Sequence, residues 1–288
     1  MNQDNLNKLI TQSLAIDVEE AKAAGMLGFM ARSLVQATMP HSKVTESVFT
    51  RENGAFSLAM MANPKVGLPY GSVPRLLVAF LTTEAVRTKS RDIELGGTLS
   101  EFMATLKETP TGGRWGSITR VREQTKRLFS SSISCTYTTS GRDVGMMLSI
   151  ADSYDLWWSP KHPEQSSLFN SNVRLGERFF DEVTANPVPV DLRALRALKK
   201  SPMALDIYCW LTYRNSYLRT PTVIHWAVLE AQFGAGYSET RYFKRKFIEQ
   251  LKSVVAVYPE AKVNPLKNGL EIRPSKTHIR KMDNPVSE

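Results

Sequence analysis

Two stretches of the sequence carry long cations at helical spacing. In Thr119-Arg-Val-Arg-Glu-Gln-Thr-Lys-Arg-Leu-Phe129, a turn of about 100° per residue gathers Ile118, Val121, Thr125, Leu128 and Phe129 on one side. Thr119, Arg120, Glu123, Lys126, Arg127 and Ser130 fall on the other. Between Glu239 and Lys252 the same rotation gathers Phe243, Phe247, Leu251 and Val254, leaving Arg241, Tyr242, Arg245, Lys246 and Lys252 to face out. The chemistry such faces offer is recognition of a polyanion. Lysine neutralises a phosphate as a point charge, while the planar fork of arginine donates two bonds to a phosphate or to guanine. Ser238 is placed to cap the second helix, where free N–H groups also suit a phosphate. Lys267, in a hairpin-like stretch beyond that helix, and Arg114, beside Trp115 before the first, complete the candidate contact set. Arg114 is either a groove contact or a loop cation stacked on indole, and Tyr242 either a base contact or a core-edge aromatic. The plain alternative is that both faces are solvated helix surfaces; their repetition in matching surroundings favours contact.

The flanking elements decide whether those faces can be presented. A helix is expected from about Ile16 to Met39, stopped by Pro40, and a hairpin around Asn53-Gly54 between Val48-Phe49 and Phe56 to Met60. Val73 to Ser90 reads as a helix, Gly96-Gly97 as a break, and Leu99, Phe102, Met103 and Leu106 as a second helical stripe before the basic helix from Gly116 to Ser131. Alternation from Ile133 to Ser159, turning at Ser140-Gly141, reads as a wing of strands. Asn172 to Val183 reads as another strand, and Asn186-Pro-Val-Pro189 as a boundary. The second half repeats the plan with helices over Leu192 to Leu198, Ala204 to Tyr213 and Ile224 to Gln232 and a break at Gly234-Ala-Gly236. The second basic helix then runs to about Val255, followed by a hairpin of Val263 and Leu270 to Ile272 around Asn268-Gly269. The pattern predicts an α+β fold of two tandem winged-helix domains with an N-terminal helical extension. Residues 1–42 form the extension, 43–186 the first domain and 187–288 the second, the principal contact domain.

Charge agrees with that division. Of a net charge of +9 on 288 residues, the stretch from Asp191 onward holds most, with 17 Lys and Arg against 9 Asp and Glu. A hydrophobic share of 42% allows real cores, so the chain is not a disordered tail. The most apolar stretch, Val73 to Val86, is interrupted by Pro74, Arg75 and Glu84 and falls short of the roughly 20 residues of a membrane span. The N-terminus has no leader pattern, and a soluble cytoplasmic protein is expected.

Signals of catalysis are missing. There is no GxxxxGK[ST] loop, and Gly112-Gly-Arg-Trp-Gly116 lacks the lysine such a loop needs. His41, His162, His225 and His278 are scattered without ligand spacing, and Cys135 and Cys209 stand far apart, as buried thiols would. The adjacent carboxylates of Glu19-Glu20 and Asp181-Glu182 point different ways on a helix. No catalytic residue, metal site or cofactor is expected.

Several blocks resemble the plasmid-encoded RepA-type replication initiators. They are Leu27-Gly-Phe-Met-Ala-Arg-Ser-Leu-Val-Gln-Ala-Thr38, Leu68-Pro-Tyr-Gly71, Thr83-Glu-Ala-Val-Arg-Thr-Lys-Ser-Arg91, Leu99-Ser-Glu-Phe-Met103, Thr111-Gly-Gly-Arg114, Ser201-Pro-Met-Ala-Leu-Asp-Ile-Tyr-Cys-Trp-Leu-Thr-Tyr213 and Gln232-Phe-Gly234. The resemblance implies a bacterial, plasmid-encoded protein that binds direct repeats (iterons) in double-stranded DNA at a plasmid origin. It further implies opening of an AT-rich segment, recruitment of the host replication initiator and replicative helicase machinery, and dimers (a homodimer) and monomers that differ in function, the first domain serving association as well as DNA contact. It fixes no base-reading residue, so the contact set above rests on helix geometry alone. A winged-helix transcriptional repressor is the alternative, and a nucleic-acid-cleaving enzyme with an acidic cluster assembled only in the fold is a third.

Overall fold

The computed structural model describes residues 21–113, 116–159, 161–165, 170–234, 237 and 239–279. The fold is α+β, in two compact units. The first comprises the described residues of Phe29–Pro187 and Ala231–Ala235, the second those of Met1–Gly28, Val188–Glu230 and Gly236–Glu288. The change of unit after Pro187 falls inside the Asn186-Pro-Val-Pro189 segment.

The long helix expected from Ile16 does not form over the described residues; residues 16–20 lie outside them. Residues 21–25 turn, and strand β1 (Leu27–Met30) and the short helix α1 (Arg32–Gln36) follow. Gly25, at φ +64°, leaves the right-handed helical region there. The apolar run beyond it is buried almost throughout, at Met30, Ala31, Leu34, Val35, Ala37 and Met39, so its spacing does not report one helical face.

In the first unit, strands β2 (Val48–Asn53) and β3 (Phe56–Ala62) form the expected hairpin, displaced by one residue at its turn. Asn53 pairs with Phe56, so the loop is Gly54-Ala55, and Gly54 takes φ +60° at the first central position, where glycine is at home. Next come α2 (Ser72–Thr88), β4 (Asp92–Gly96), α3 (Leu99–Thr105) and α4 (Ser117–Phe129). After α4 the chain forms β5 (Ser131–Thr139), β6 (Arg142–Ser149), β7 (Ala151–Asp155), β8 (Ser171–Leu175) and α5 (Glu177–Ala185).

The strands expected as one wing over 133–159 divide between two sheets. β5 and β6 join the early hairpin in the order β2-β3-β5-β6, while β7 joins β4-β8-β7. Ile133 opposite Met60 and Cys135 opposite Leu58 extend the apolar face of β3, a partner far away in sequence. The expected strand over 172–183 ends at Leu175 and becomes helix. A Cβ on Gly176 would stand 2.1 Å from the Ser149 carbonyl oxygen, so the junction needs glycine. Beyond it the buried pair Phe179 and Val183 is spaced by one helical turn.

Helix α2 packs against α4 and α5 and is buried on nearly every side. Its Arg75, which reads from sequence as a polar-face residue, is 2% exposed. The guanidinium donates to the carbonyls of Met39 (2.7 Å), Pro40 (3.2 Å) and Gly71 (2.7 Å).

On α5, the Glu182 carboxylate accepts the Ser33 N–H at 2.7 Å and its hydroxyl at 3.0 Å. Burial nevertheless pushes its pKa above the ordinary value of 4.5, the Ser33 bonds and Arg32 opposing only in part. An acid with a raised folded pKa stabilises most when protonated, fully below pH 4.5, and loses that contribution as pH rises through the folded value. Glu182→Gln mimics the protonated acid. It is expected to melt above the wild type at pH 7 to 8, with the gap closing on acidification through the carboxylate range in a thermal-melt series. A gap independent of pH would contradict the assignment.

The second unit contains β9 (Val188–Asp191), α6 (Leu192–Leu198) and α7 (Pro202–Asn215), the last capped by the Ser201 hydroxyl, which accepts from Ala204 N–H at 3.2 Å, with proline next to the cap. β10 (Thr222–His225) takes the start of the helix expected at Ile224, so α8 is Trp226–Phe233. α9 (Thr240–Val257), β11 (Val263–Pro265) and β12 (Gly269–Ile272) complete it, in the sheet order β10-β12-β11. The segment after β12 returns to the helices. His278 Nδ1 stands 2.7 Å from the Tyr208 hydroxyl, and its ring stacks on Tyr258 at 4.8 Å. The Tyr258 hydroxyl accepts from Asn215 and donates to the Lys276 carbonyl.

Within each unit a run of helix, strand, helix, helix and two strands recurs, α2-β4-α3-α4-β7-β8 in the first and α7-β10-α8-α9-β11-β12 in the second, and each run pairs its first strand with its last and the last with the middle one. The first unit places β5–β6 between α4 and β7 and adds α1, the β2–β3 hairpin and α5, while the second adds β9 and α6.

Candidate nucleic-acid interface

The start of α4 is tied down by a short-range network. Thr111 N–H donates to the Ser117 hydroxyl and Ser117 N–H to the Thr111 hydroxyl, both at 2.9 Å, while the Ser117 hydroxyl donates to the Thr109 carbonyl. A Cβ on Gly116 would lie 2.1 Å from the Thr111 carbonyl oxygen, so the loop closes only with glycine there. Ile118, Val121, Thr125, Leu128 and Phe129 are buried, together with Gln124, whose side chain accepts from Tyr70 N–H at 2.8 Å.

Arg120, Glu123 and Lys126 are exposed and Thr119 is half-buried. Arg120 also meets Glu108 at 3.1 Å. Arg127 departs from the expected outward arc. It is half-buried, donates to the Leu68 carbonyl at 3.2 Å, and would touch any side chain on Gly67. It fastens α4 to the 67–70 loop. Arg122, exposed between Arg120 and Lys126, joins the cationic face; its helical position beside Thr119 was legible. Arg114 and Ser238 lie outside the described residues.

On α9 the core side is Phe243, Phe247, Leu251, Val254 and Val257. Trp226 meets Phe247 edge-on at 5.9 Å, and the helix packs on α7. Arg241, Tyr242, Arg245, Lys246 and Lys252 are exposed. Tyr242 is 38% exposed. Lys246 pairs with Glu249 at 3.1 Å in solvent.

One positioning residue escapes the helical wheel. Lys244 Nζ donates to the carbonyls of Leu266 and Lys267 at 3.0 Å each and lies 5.0 Å from the centre of the Trp226 ring. Trp226 Nε1 donates to the Leu266 carbonyl as well. The turn that carries exposed Lys267 is thereby bonded to the same helix as Arg241 and Arg245. Sequence gave no sign of this, because the acceptors are backbone atoms more than 20 residues on.

Among the described residues there is no group of His, Cys, Asp or Glu able to hold a metal ion, and no helix long and apolar enough to cross a membrane. Both cysteines are free and buried, and burial pushes the Cys135 thiol up to about 12.

In each unit a helix is seated by its apolar side with several cations held clear of the core, an arrangement whose charge and spacing would suit a polyanion. Residues 68–227 match the family described as plasmid encoded RepA protein, and the chain belongs to that family, whose role is in plasmid replication initiation. A crystal structure of domains 2 and 3 of RctB is similar with a TM-score of 0.55 at 10% identity, over 84% of this chain and 97% of that one. A second crystal structure of RctB domains 2–3 gives 0.49 at 12% identity, over 84% and 96%. At such identity the first likeness is one of fold. No curated protein sequence matches the chain.

Proposed function

We propose that the chain is an origin-binding initiator made of two tandem winged-helix domains. It binds iterons in double-stranded DNA at its plasmid origin and there brings in the host replication initiator and helicase machinery. The shared element order and strand pairing support this reading, since a winged helix places its third helix in the major groove and its last two strands beside it. On that scheme α4 and α9 are the recognition helices. The wings are β7–β8 and β11–β12, and β5–β6 is an addition to the first domain. On this reading the domains extend over 43–186 and 187–288, with 1–42 as the extension, of which residues 29–42 pack into the first compact unit. The observation that carries the proposal is the α9 face, where Arg241, Tyr242, Arg245, Lys246 and Lys252 stand exposed opposite a wholly buried stripe, with Lys267 on the bonded turn. Arg120, Arg122 and Lys126 are the corresponding cations of α4. Recruitment of host proteins, association of two copies and action in the bacterial cytoplasm are drawn from the family.

Footprinting on the cognate plasmid origin tests the proposal. Protection of regularly spaced repeats is expected, with affinity falling by about 0.9 logarithmic units per neutralised phosphate for each tenfold rise in salt. The chain supplied in trans should also maintain an origin-only replicon. Protection without maintenance would leave a repressor, and nicking of supercoiled origin DNA with Mg²⁺ would make it a nuclease.

A further inference from the structure

One acidic side chain stands out of place on the α9 face. Glu239 immediately precedes the helix, where a side-chain acceptor ordinarily bonds to free backbone N–H groups. It makes no such capping bond. Both of its oxygens instead take the fork of Arg241, with Oε2 2.9 Å from Nε and Oε1 3.0 Å from a terminal nitrogen. That nitrogen also donates to the Tyr242 hydroxyl at 3.1 Å, and the guanidinium carbon lies 4.8 Å from the centre of the Tyr242 ring. Arg245 approaches the same ring to 5.6 Å. The Glu239 and Arg241 side chains remain 51% and 69% exposed, so the pair sits at the surface a duplex would meet.

We propose that Glu239 is a selectivity residue. It occupies the Nε–Nη edge of Arg241 in the free protein, one of the two forked edges of the guanidinium, so that this edge is released to a duplex offering a bidentate acceptor in register, guanine above all, and not to phosphates met in passing. The role rests on the reading of α9 as a recognition helix.

An exposed carboxylate–guanidinium pair shifts an equilibrium by no more than about fivefold. A guanine held in register accepts two bonds and displaces it readily. A loosely placed phosphate must compete with an acceptor already aligned on the same helix, and it also feels the charge of Glu239. Both effects fall mainly on non-specific complexes, which depend on phosphate contacts for essentially all of their affinity. Discrimination here comes from weakening the wrong complex as much as from strengthening the right one.

The test uses the full chain and Glu239→Gln, which keeps the side-chain size and removes the charge. A random-sequence duplex pool is selected with the wild-type chain. The most enriched duplex and a shuffled duplex of equal composition are then titrated at one salt concentration, with matched thermal melts for every variant. Glu239→Gln is expected to tighten the shuffled duplex about fivefold and the enriched one by less than about twofold, so that discrimination falls. The change should shrink when Arg241→Ala is already present, to what the lost charge of Glu239 contributes by itself. Equal tightening on both duplexes, or no change on either, overturns the proposal. If Arg241→Ala and Arg245→Ala both bind the two duplexes as the wild type does, the reading of α9 fails and the selectivity role falls with it. If those variants lose affinity while Glu239→Gln leaves discrimination unchanged, the selectivity role alone fails.

Discussion

Replacing Arg241 and Arg245 together with alanine is expected to weaken binding to the origin repeats by about two to three orders of magnitude at physiological salt. Each arginine in a bidentate contact contributes about 1–3 kcal/mol, and two such losses on one face give a change of this size. Where one of them meets phosphate instead, the salt dependence of binding should flatten by about one unit of slope. The fold should survive. Both side chains are exposed, and the Arg241–Glu239 pair is a surface ion pair worth at most about 1 kcal/mol. Equilibrium binding over a salt series, beside circular dichroism and thermal melting, separates the outcomes. Unchanged affinity in a well-folded double variant would reject α9 as the reader.

A second large effect is expected far from any DNA contact. Arg75→Ala should destabilise the first unit by about 4 kcal/mol, measured by urea unfolding with an unchanged slope. Three carbonyls, of Met39, Pro40 and Gly71, lose their shared donor; Pro40 keeps the Gly71 N–H at 3.1 Å, and each buried acceptor left unsatisfied costs about 1–3 kcal/mol. Part of that is recovered if water enters the space left behind. Arg75→Lys should rescue only a fraction, because an ammonium cannot span three acceptors in the plane of the guanidinium. A loss under about 1 kcal/mol for the alanine variant would mean that the bonds are dispensable.

Arg75 also marks where sequence reading stops. An arginine among leucines on a helical wheel reads as the wet edge of an amphipathic helix, and only the loop folded over the start of α2 makes it a core residue. The stripes of α4 and α9 were legible because each helix seats a single face on its neighbours, so that period and burial coincide. Arg127 fell on the polar arc yet turned inward, since Gly67 opens space for it from 60 residues away. The run from Asn172 to Val183 holds a strand and a helix, and their junction depends on how closely Gly176 approaches the Ser149 carbonyl. In β4, Ile93 and Leu95 alternate with Asp92 and Glu94 in plain strand rhythm, yet the segment is too short to be found without β8. The split of the expected wing between two sheets was out of reach for the same reason, because strand partners are chosen over distances that a local pattern does not contain.

His278, held between the Tyr208 hydroxyl and the Tyr258 ring, bears on how small a working piece of this protein can be. Tyr258 ends α9, so the imidazole braces the base of the very helix whose other end carries Arg241. A fragment ending anywhere within residues 273–277 would keep every cation of that face and lose the wedge beneath it. The shortest fragment that holds α9 as the whole chain does must therefore include His278.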